Sequence, residues 1–438
     1  MAQVNTVLEK ATKGRIVRGA WRRRLLSFLV VAGPGLIVME ADNDAGAVST
    51  YVQAGAQYGT HLLWLLLILL PVIYFTQEMV ARLGVATGQG HAAMIYARFG
   101  KWWGRFSLAD LLVVNFLTLM TEFAAIDLAM SALGVAPWIS VPAAAVGLTA
   151  LVFSGGYLRW ERITIGLCLL DVVWVGMAVF VHPNWAHWGE AARHAALPSI
   201  PPGGLTGSLV FLVIAIVGTT IAPWQLFFQQ SCVAEKRLRF SDLNWERLDT
   251  LIGACFTIVV AAGMMIVGGL AYRHHLPFTD PAQFAASVAP FAGNAVRFLI
   301  LLLMVNASVL GATAISLSSA WAYGEVKRWP HSLHKKVRDA PAFYAVYAGG
   351  VFAAAGLVLI PRLPLQLVIL GVQALAGLML PSAIIFLQLL LNDGELLGDR
   401  FRNKPWNNWV NWIIISLLFG LSLLLALQVA APKLLALT

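Results

Sequence analysis

Long apolar stretches recur along the whole chain, and only short polar connections separate them. A helix that crosses the hydrocarbon core of a bilayer needs about 20 mainly apolar residues, and eleven stretches reach that length. We predict spans at 26–57, 61–82, 108–133, 136–154, 163–182, 206–232, 250–271, 294–323, 341–360, 364–391 and 409–431. Because several of them exceed about 25 residues, we expect tilt or an interruption within them.

No connection between these stretches is long enough for a soluble domain, so we predict one all-α polytopic membrane domain over residues 26–431. The composition agrees, since 59% of residues are hydrophobic and only 12% are charged, against about 25% charged in soluble domains. Residues 1–25 are polar and basic and contain no short apolar stretch with a cleavage site. We therefore expect a cytoplasmic tail there and no cleaved signal peptide.

The basic residues predict the orientation, because loops on the cytoplasmic side retain Lys and Arg. With the N-terminus inside, 25 of the 30 Lys and Arg residues lie in the tail and the inner loops. This places the chain in the inner (plasma) membrane with its C-terminus outside. The net charge of +9 then faces anionic lipid, and no nucleic-acid partner is needed to explain it. No Walker motif is present, so no ATPase partner is implied.

The first span, GPGLIVMEADNDAGAVSTYVQAGAQYG, carries Glu40, Asp42, Asn43 and Asp44 at its middle. A carboxylate there costs at least ~2.5 kcal/mol on insertion scales. One alternative is a polar loop between two short helices. However, each would be too short to span the bilayer, and a further span would upset the charge bias. We therefore predict a discontinuous helix, unwound over residues 42–46, with carboxylates and freed carbonyls facing a cavity.

The sixth span, VFLVIAIVGTTIAPWQLFFQQ, is interrupted by Gly218, Thr219, Thr220 and Pro223. Proline lacks the amide donor and frees the carbonyl four residues earlier, at Thr219. A proline kink alone is common in membrane helices. Paired interruptions at matching places in two halves of a chain, however, indicate a transporter site. We predict inverted repeats over about 26–182 and 206–391, followed by an extra span at 409–431.

The strings GPGL, QAGAQYG, ARLGVATG and LQLVILGVQALAGLMLP together resemble the Nramp family of divalent-metal transporters along nearly the whole chain. The resemblance implies a LeuT-like inverted-repeat fold and alternating access around a metal site at the membrane midplane. The family's first-span motif, D-P-G-N, corresponds here to Asp44–Ala47. Its sixth-span motif, M-P-H, corresponds to Ala222–Trp224, its second histidine to Gln229, and its tenth-span glutamine to Gln373.

These departures favour a hard ion, because thioether sulfur suits softer metals whereas carboxylate, carbonyl and water suit Mg²⁺ and Mn²⁺. Alanine in place of methionine also enlarges the site, which suits an ion that keeps several of its waters. The pattern resembles the Nramp-related magnesium transporter branch. No cofactor is expected, since the ion is cargo. The candidate ligands are Asp44, Asp42, Asn43, Thr219, Ala222 and Gln373.

The proton path of the family is not evident, because both sixth-span histidines are missing and the ninth span carries no Arg, His or acid. Glu122, Asp127 and Asp171 remain as intramembrane acids. Each is either part of a different relay or a protonated group with a local hydrogen-bond partner. Two rival functions therefore stay open. One is proton-coupled uptake of Mn²⁺ or Fe²⁺, and the other is transport of an amino acid or organic amine on the same fold.

Overall fold

The computed structural model describes residues 28, 31–182 and 185–430, and these residues form helices without a β-strand. The basic tail predicted over residues 1–25 lies outside this part of the chain. The helices are α1 Pro34–Ala41, α2 Ala45–Tyr58, α3 Leu63–Thr87, α4 His91–Ala132, α5 Pro137–Phe153, α6 Tyr157–Cys168, α7 Val172–Val181, α8 Trp185–Ala196, α9 Gly207–Thr220, α10 Pro223–Lys236, α11 Leu243–Arg273, α12 Pro281–Ala292, α13 Asn294–Lys327, α14 Pro341–Val358, α15 Leu365–Leu390, α16 Gly394–Phe401 and α17 Pro405–Ala430.

Each of the eleven predicted spans has a helical counterpart. Nine segments of the described chain are long and apolar enough to cross a membrane, counting α6 with α7 and α9 with α10 as single segments. The tenth counterpart is α5, which is apolar but has only 17 residues. The eleventh is the first span, which consists of the short helices α1 and α2. The chain is an all-α multi-pass membrane protein.

Two helices extend well beyond the apolar stretches that predicted them. Helix α4 begins at His91 rather than at residue 108 and continues through the polar connection, with a kink at Gly100, where φ is 86°. Helix α11 begins at Leu243 rather than at residue 250. Hydropathy marks where a helix enters lipid, whereas the backbone hydrogen bonds continue beyond that boundary.

The fifth span contains an interruption that we did not predict. Helix α6 ends at Cys168, a 3₁₀ turn covers Leu169–Asp171, and α7 continues the span. Asp171 is buried at this turn, and its Oδ1 accepts a 3.0 Å hydrogen bond from Asn306 Nδ2 on α13. No glycine or proline occurs at the turn, so the sequence gives no conventional signal for the change of helix type.

Helix α11 packs closely against the two halves of the first span because glycines line the contact. A Cβ on Gly35 of α1 would lie 2.7 Å from the backbone nitrogen of Thr250, and one on Gly55 of α2 would meet the carbonyl of Met265. In the opposite direction, a Cβ on Gly268 of α11 would meet the carbonyl of Val52. Small residues allow such close backbone approach in membrane proteins, where van der Waals packing drives helix association.

The start of α1 is fixed by a single carboxylate of α11. Asp249 Oδ2 accepts hydrogen bonds from the backbone amides of Gly33, Gly35 and Leu36 at 3.0, 2.8 and 3.2 Å. These amides have no partner within the helix, and a negative charge at a helix N-terminus is favourable. Nearby, Lys236 Nζ donates hydrogen bonds to the carbonyl of Ala32 at 2.8 Å and to Glu161 Oε1 at 2.7 Å. The end of the first span predicted to be cytoplasmic is therefore closed by charged and polar contacts.

We expect Gly55→Ala to lower stability by ~1–3 kcal/mol, because the added methyl group overpacks the α2–α11 contact. The matched control is Gly147→Ala on α5, where a Cβ would meet nothing within 4 Å. Thermal unfolding of the two purified variants in detergent checks the difference. Equal unfolding temperatures for both variants would contradict the close packing of α2 on α11.

Candidate functional site

The first span breaks at Asp42–Asp44, just before the glycine that we expected within the unwound segment. Helix α1 ends at Ala41, and α2 begins at Ala45 with Asp44 as its N-cap. Asp44 Oδ1 accepts a 2.9 Å hydrogen bond from the backbone amide of Ala47. The cap requires only one carboxylate oxygen, so the second oxygen is available to another partner.

The second break lies between α9 and α10. Helix α9 ends at Thr220, Ile221 and Ala222 are extended, and α10 begins at Pro223. In a continuous helix the Thr219 carbonyl would accept from the amide of residue 223, which is a proline and has none. Thr219 is buried, and its Oγ1 has no hydrogen-bond partner in the described structure. A carbonyl and a hydroxyl of the same residue are thus left for a further group.

Gln373 of α15 lies against both breaks. A Cβ on Gly46, in the first turn of α2, would overlap the amide group of the Gln373 side chain. A Cβ on Gly218, near the end of α9, would meet the backbone carbonyl of Gln373 and would lie 2.7 Å from the backbone nitrogen of Gly377. Gln373 is 1% exposed, and its Nε2 has no hydrogen-bond partner among the described residues. The two breaks and α15 therefore meet at one place.

Asp42 and Asn43 face different helices. Gln225 Nε2 on α10 donates a hydrogen bond to Asp42 Oδ1, while Asp42 Oδ2 is buried without a partner in the described structure. Asn43 Nδ2 instead donates to the Thr257 carbonyl of α11 at 3.4 Å and to Glu40 Oε2 at 3.5 Å. Asp42 is thus directed to the second break. Asn43 Nδ2 is held against α11, whereas Asn43 Oδ1 is buried without a partner in the described structure.

Glu122 of α4 reaches Asp44, although its position in the sequence did not assign it to the site. Its Oε2 accepts a 3.2 Å hydrogen bond from the backbone amide of Ala45. A Cβ on Gly311 of α13 would lie 2.7 Å from Asp44 Cβ and 2.9 Å from Glu122 Cδ, so both side chains pack over that glycine. Glu122 Oε1 is buried and has no hydrogen-bond partner in the described structure. The only sequence feature that pointed to Glu122 was the presence of a glutamate inside a predicted span.

The other two intramembrane acids are held by local partners. Asp127 accepts a 2.9 Å hydrogen bond from Ser131 Oγ, one turn further along α4, and is partly exposed. Asp171 is bonded to Asn306, as described above. The local-partner interpretation fits Asp127. Asp171 Oδ2 is buried without a partner in the described structure, and Glu122 reaches the break.

The two residues at the positions of the family's histidines are buried and differ in direction. Gln229 Nε2 donates to Thr250 Oγ1 at 2.9 Å and to Glu246 Oε1 at 3.2 Å, both on α11. Trp224 packs against Phe228 with ring centroids 5.9 Å apart. The side chains that replace the histidines thus fill helix contacts. Ala222 at the break is likewise buried.

The carboxylates around the breaks are buried without a basic partner. Asp44 is 3% exposed, and Glu40, Asp42 and Glu122 are buried even more completely. Among the described residues, the ion pairs all lie elsewhere in the molecule. A buried carboxylate requires a cation, a proton or several hydrogen bonds. Carboxylate, amide and carbonyl groups lie at the two breaks, and oxygen ligands of these kinds suit a hard cation. The described residues contain no group of three or more His, Cys, Asp or Glu side chains placed to hold a metal ion by themselves.

A cavity of about 510 Å³ lies at the end of the spans predicted to face outside, and Gln53, Asp280 and Gln366 are among its lining residues. Ser49 Oγ donates to Gln366 Oε1 at 2.7 Å, and Gln366 Nε2 donates to Gln53 Oε1 at 3.1 Å. Ser49 is about one helical turn beyond Ala45 on α2. A polar cluster therefore separates this cavity from the break.

Comparison with known proteins is consistent with this geometry. The family model described as Natural resistance-associated macrophage protein-like, Nramp, matches residues 35–428. The chain belongs to the Nramp family. This match includes both breaks, Glu122 and Gln373, and it confirms the family that the sequence motifs resemble.

Curated relatives in the Nramp family are named divalent metal cation transporters. The chain is 27% identical over 369 residues to MntH of Verminephrobacter eiseniae, covering 77% of this chain and 78% of the relative. It is 25% identical over 450 residues to MntH of Granulibacter bethesdensis, covering 96% and 92% of the two chains.

Solved structures confirm the fold. A manganese transporter of Eremococcus coleocola, crystallised with an aromatic bis-isothiourea substituted compound, superposes with a TM-score of 0.72 at 18% identity, covering 91% of this chain and 86% of that one. Mhp1, a nucleobase-cation-symport-1 family transporter, gives a TM-score of 0.51 at 15% identity, covering 92% of each chain. The predicted LeuT-like fold, with its first and sixth spans broken, is therefore correct.

We expect Gly46→Ala to destabilise the protein by ~1–3 kcal/mol, because its methyl group displaces the Gln373 side chain. Combination with Gln373→Ala should relieve that overlap, so the double variant loses less stability than the sum of the single losses. The matched pair is Gly176→Ala with Gln373→Ala, since a Cβ on Gly176 meets nothing within 4 Å. Thermal unfolding measures all five variants. Additive losses in both pairs would contradict the contact between Gln373 and α2.

Proposed function

We propose that this Nramp protein takes up divalent metal cations, with Mg²⁺ and Mn²⁺ as partly hydrated ions, across the inner (plasma) membrane without proton coupling. Asp44 is the main charged ligand and Asp42 adds a second carboxylate. The Thr219 carbonyl and the Gln373 side chain supply further oxygens, and water completes the coordination beside Ala222. The N-terminus is cytoplasmic and the C-terminus lies outside, as the charge distribution predicts.

The observation that carries this proposal is the group of carboxylates buried without a basic partner where the two broken spans meet. A permanent Lys or Arg would occupy the site and exclude a cation. Here the described structure leaves Asp42 Oδ2, Glu122 Oε1 and Thr219 Oγ1 without hydrogen-bond partners. Burying a polar group in a membrane interior costs free energy, so such groups are typically retained there for function. A transported divalent cation supplies the missing charge.

The contacts bear on two further members of the ligand set. Asn43 Nδ2 donates to Thr257 and Glu40, while Asn43 Oδ1 is buried without a partner in the described structure, so this oxygen remains a candidate ligand beside Asp42. Glu122 lies beside Asp44 and joins the site as a second-helix carboxylate. Both residues add oxygen to the lining, which supports a hard ion.

The membrane potential alone can drive uptake, so no second ion is needed as an energy source. A membrane potential favours the entry of a divalent cation by about 4.6 kcal/mol per 100 mV, twice the value for a single charge. Asp280 and the glutamines of the outer cavity provide an oxygen-lined approach. The contacts of Asp249 and Lys236 hold the opposite end of the first span. The cluster of Ser49, Gln366 and Gln53 lies between the outer cavity and the break, so uptake requires this cluster to open.

Proton-coupled uptake of Mn²⁺ or Fe²⁺ is the second candidate, and the position of Glu122 favours it. Two carboxyl groups packed over Gly311 can share a proton when no metal is bound, and Asp42, Asp44 or Glu122 would then carry it. Transport of an amino acid or organic amine is less well supported. A substrate carboxylate would meet the acids of the first break instead of the free helix N-terminus that such substrates use.

In liposomes that contain the purified protein, we expect Mg²⁺ to enter without acidification of the lumen. Asp44→Ala should reduce the initial rate at least about tenfold, because it removes the central charged ligand of the ion. Internal dyes for Mg²⁺ and for pH, read in the same vesicles, measure both quantities. Asn43→Ala should retain more activity than Asp42→Ala, since Asn43 offers a neutral oxygen whereas Asp42 offers a charged one.

The matched control is Asp127→Ala, which removes an intramembrane carboxylate whose hydrogen bond is to Ser131 rather than to the site, and it should retain transport. Acidification that follows Mn²⁺ entry while Mg²⁺ remains outside would overturn the uncoupled mechanism and favour the symporter. Full Mg²⁺ transport by Asp44→Ala would overturn the site itself.

We expect Ala222→Met to lower Mg²⁺ transport and to raise the ratio of Cd²⁺ to Mg²⁺ transport, because the thioether favours soft ions and occupies space needed for water. Competition between the two ions in the same liposomes measures this ratio. Ala222→Leu adds a side chain of similar size without sulfur, so it should lower Mg²⁺ transport without favouring Cd²⁺. An unchanged ratio in the methionine variant would place residue 222 away from the ion.

A further inference from the structure

A second polar cavity, of about 330 Å³, lies at the end of the molecule predicted to be cytoplasmic. One face of α3 forms a wall through Tyr74, Glu78 and Arg82, which follow one another at intervals of four residues. The other lining residues are Arg247, near the start of α11, and a group from the end of α16 to the start of α17. This group consists of Arg400, Arg402, Lys404, Trp406 and Asn407. No group of the metal site lines this cavity.

The lining is strongly cationic. Arg82, Arg247, Arg400, Arg402 and Lys404 are all part of it, and Glu78 is the one carboxylate in the described lining. Glu78 is already shared, because it accepts from Arg82 at 3.3 Å and from Arg247 at 2.7 Å. The positive charge of the cavity therefore exceeds what its own carboxylate can balance.

Several donors in the cavity are left for a further acceptor. Arg82 is 6% exposed and bonds the Phe401 carbonyl and Asn403, yet its Nε has no partner in the described structure. Arg400 stacks over the Phe240 ring at 3.4 Å. Within the described part of the chain, neither Arg400 nor Lys404 forms an ion pair. A buried guanidinium nitrogen without an acceptor indicates an absent ligand or an ordered water.

The first turn of α17 adds to the positive electrostatic potential in the cavity. Trp406 and Asn407 line the cavity just after Pro405, the first residue of the helix. The first amides of a helix lack intrahelical acceptors, and the helix dipole attracts an anion to that end. Because this feature coincides with the unpartnered Arg82 nitrogen, both point to the same kind of ligand.

The remaining lining shows that the cavity lies at the membrane surface. Phe75 and Trp406 meet edge to face with ring centroids 5.6 Å apart, and Trp406 is 51% exposed. Arg82 is the last residue of the predicted second span, and the predicted eleventh span begins a few residues beyond Trp406. Tryptophan and tyrosine are typical of the boundary between lipid and water.

We propose that this cavity binds the phosphate group of an anionic phospholipid in the cytoplasmic leaflet. Planar guanidinium groups match the geometry of phosphate oxygens, and several cations around a small cavity favour an anionic group. A lipid places its phosphate at the level of the aromatic pair and its acyl chains along the exposed face of α3. Free inorganic phosphate has the same headgroup chemistry but gains nothing from that face.

The test compares dioleoylphosphatidylglycerol with dioleoylphosphatidylcholine, each added in mixed micelles to the purified full-length protein, and follows the thermal unfolding temperature. We expect the anionic lipid to raise that temperature at lower concentrations than the zwitterionic lipid does. Arg400→Gln with Lys404→Gln should raise the half-maximal lipid concentration by about fivefold for each cation removed. These two side chains form no ion pair within the described part of the chain, so the Glu78 contacts are preserved. The unfolding temperature without lipid measures the effect of losing the contact of Arg400 with Phe240.

The control is Arg105→Gln with Arg159→Gln, which removes two exposed charges from the same side of the membrane and should shift the half-maximal concentration less than twofold. Equal shifts in both double variants would reduce the effect to general surface charge and overturn the proposal. Stabilisation by millimolar inorganic phosphate equal to that by the lipid would assign the site to free phosphate instead. Co-purified lipid, identified by mass spectrometry, should lose phosphatidylglycerol in the first double variant only.

Discussion

A carboxylate inside a bilayer must be matched by a cation, a proton or hydrogen-bond donors, and this requirement organises the centre of the molecule. Asp42, Asp44 and Glu122 gather where two helices are interrupted, because only an interrupted backbone offers free amides and carbonyls at that depth. The Ala45 and Ala47 amides stabilise part of the negative charge. In the proposed site the remaining charge is left for the cargo, and a site that is incomplete on its own would allow an ion to enter and leave.

The surrounding helices must then come close enough to exclude lipid from the open backbone. Glycines provide this proximity at both breaks, since Gly46 accommodates Gln373 and Gly218 accommodates the backbone of α15. Gly35, Gly55 and Gly268 do the same for α11. Packing and polarity are therefore linked, because a larger residue at these positions would separate the helices that shield the freed polar groups.

Hydropathy and charge bias predicted the spans, since a lipid environment imposes a length and a composition that can be counted. Acidic residues and a proline likewise predicted both breaks, because each has a local cost in a continuous apolar helix. The same reasoning could not predict that Glu122 lies beside Asp44 or that Asn43 Nδ2 faces α11. Their roles depend on which helix packs opposite, as the bond from Asn43 to Thr257 spans 214 positions of sequence. The 3₁₀ turn at Asp171 also arises from tertiary contacts.

The N-terminal anchor of α1 has a mechanical consequence. Three amides converge on one atom, Asp249 Oδ2, so they cannot be released in sequence as they could from three separate acceptors. A movement that draws the helix away from this oxygen breaks all three bonds within the same small displacement. Helix α1 is only about 12 Å long and ends at the first break. The contact of the α1 N-terminus with α11 therefore depends on this one carboxylate oxygen, and its loss would release the helix as a unit.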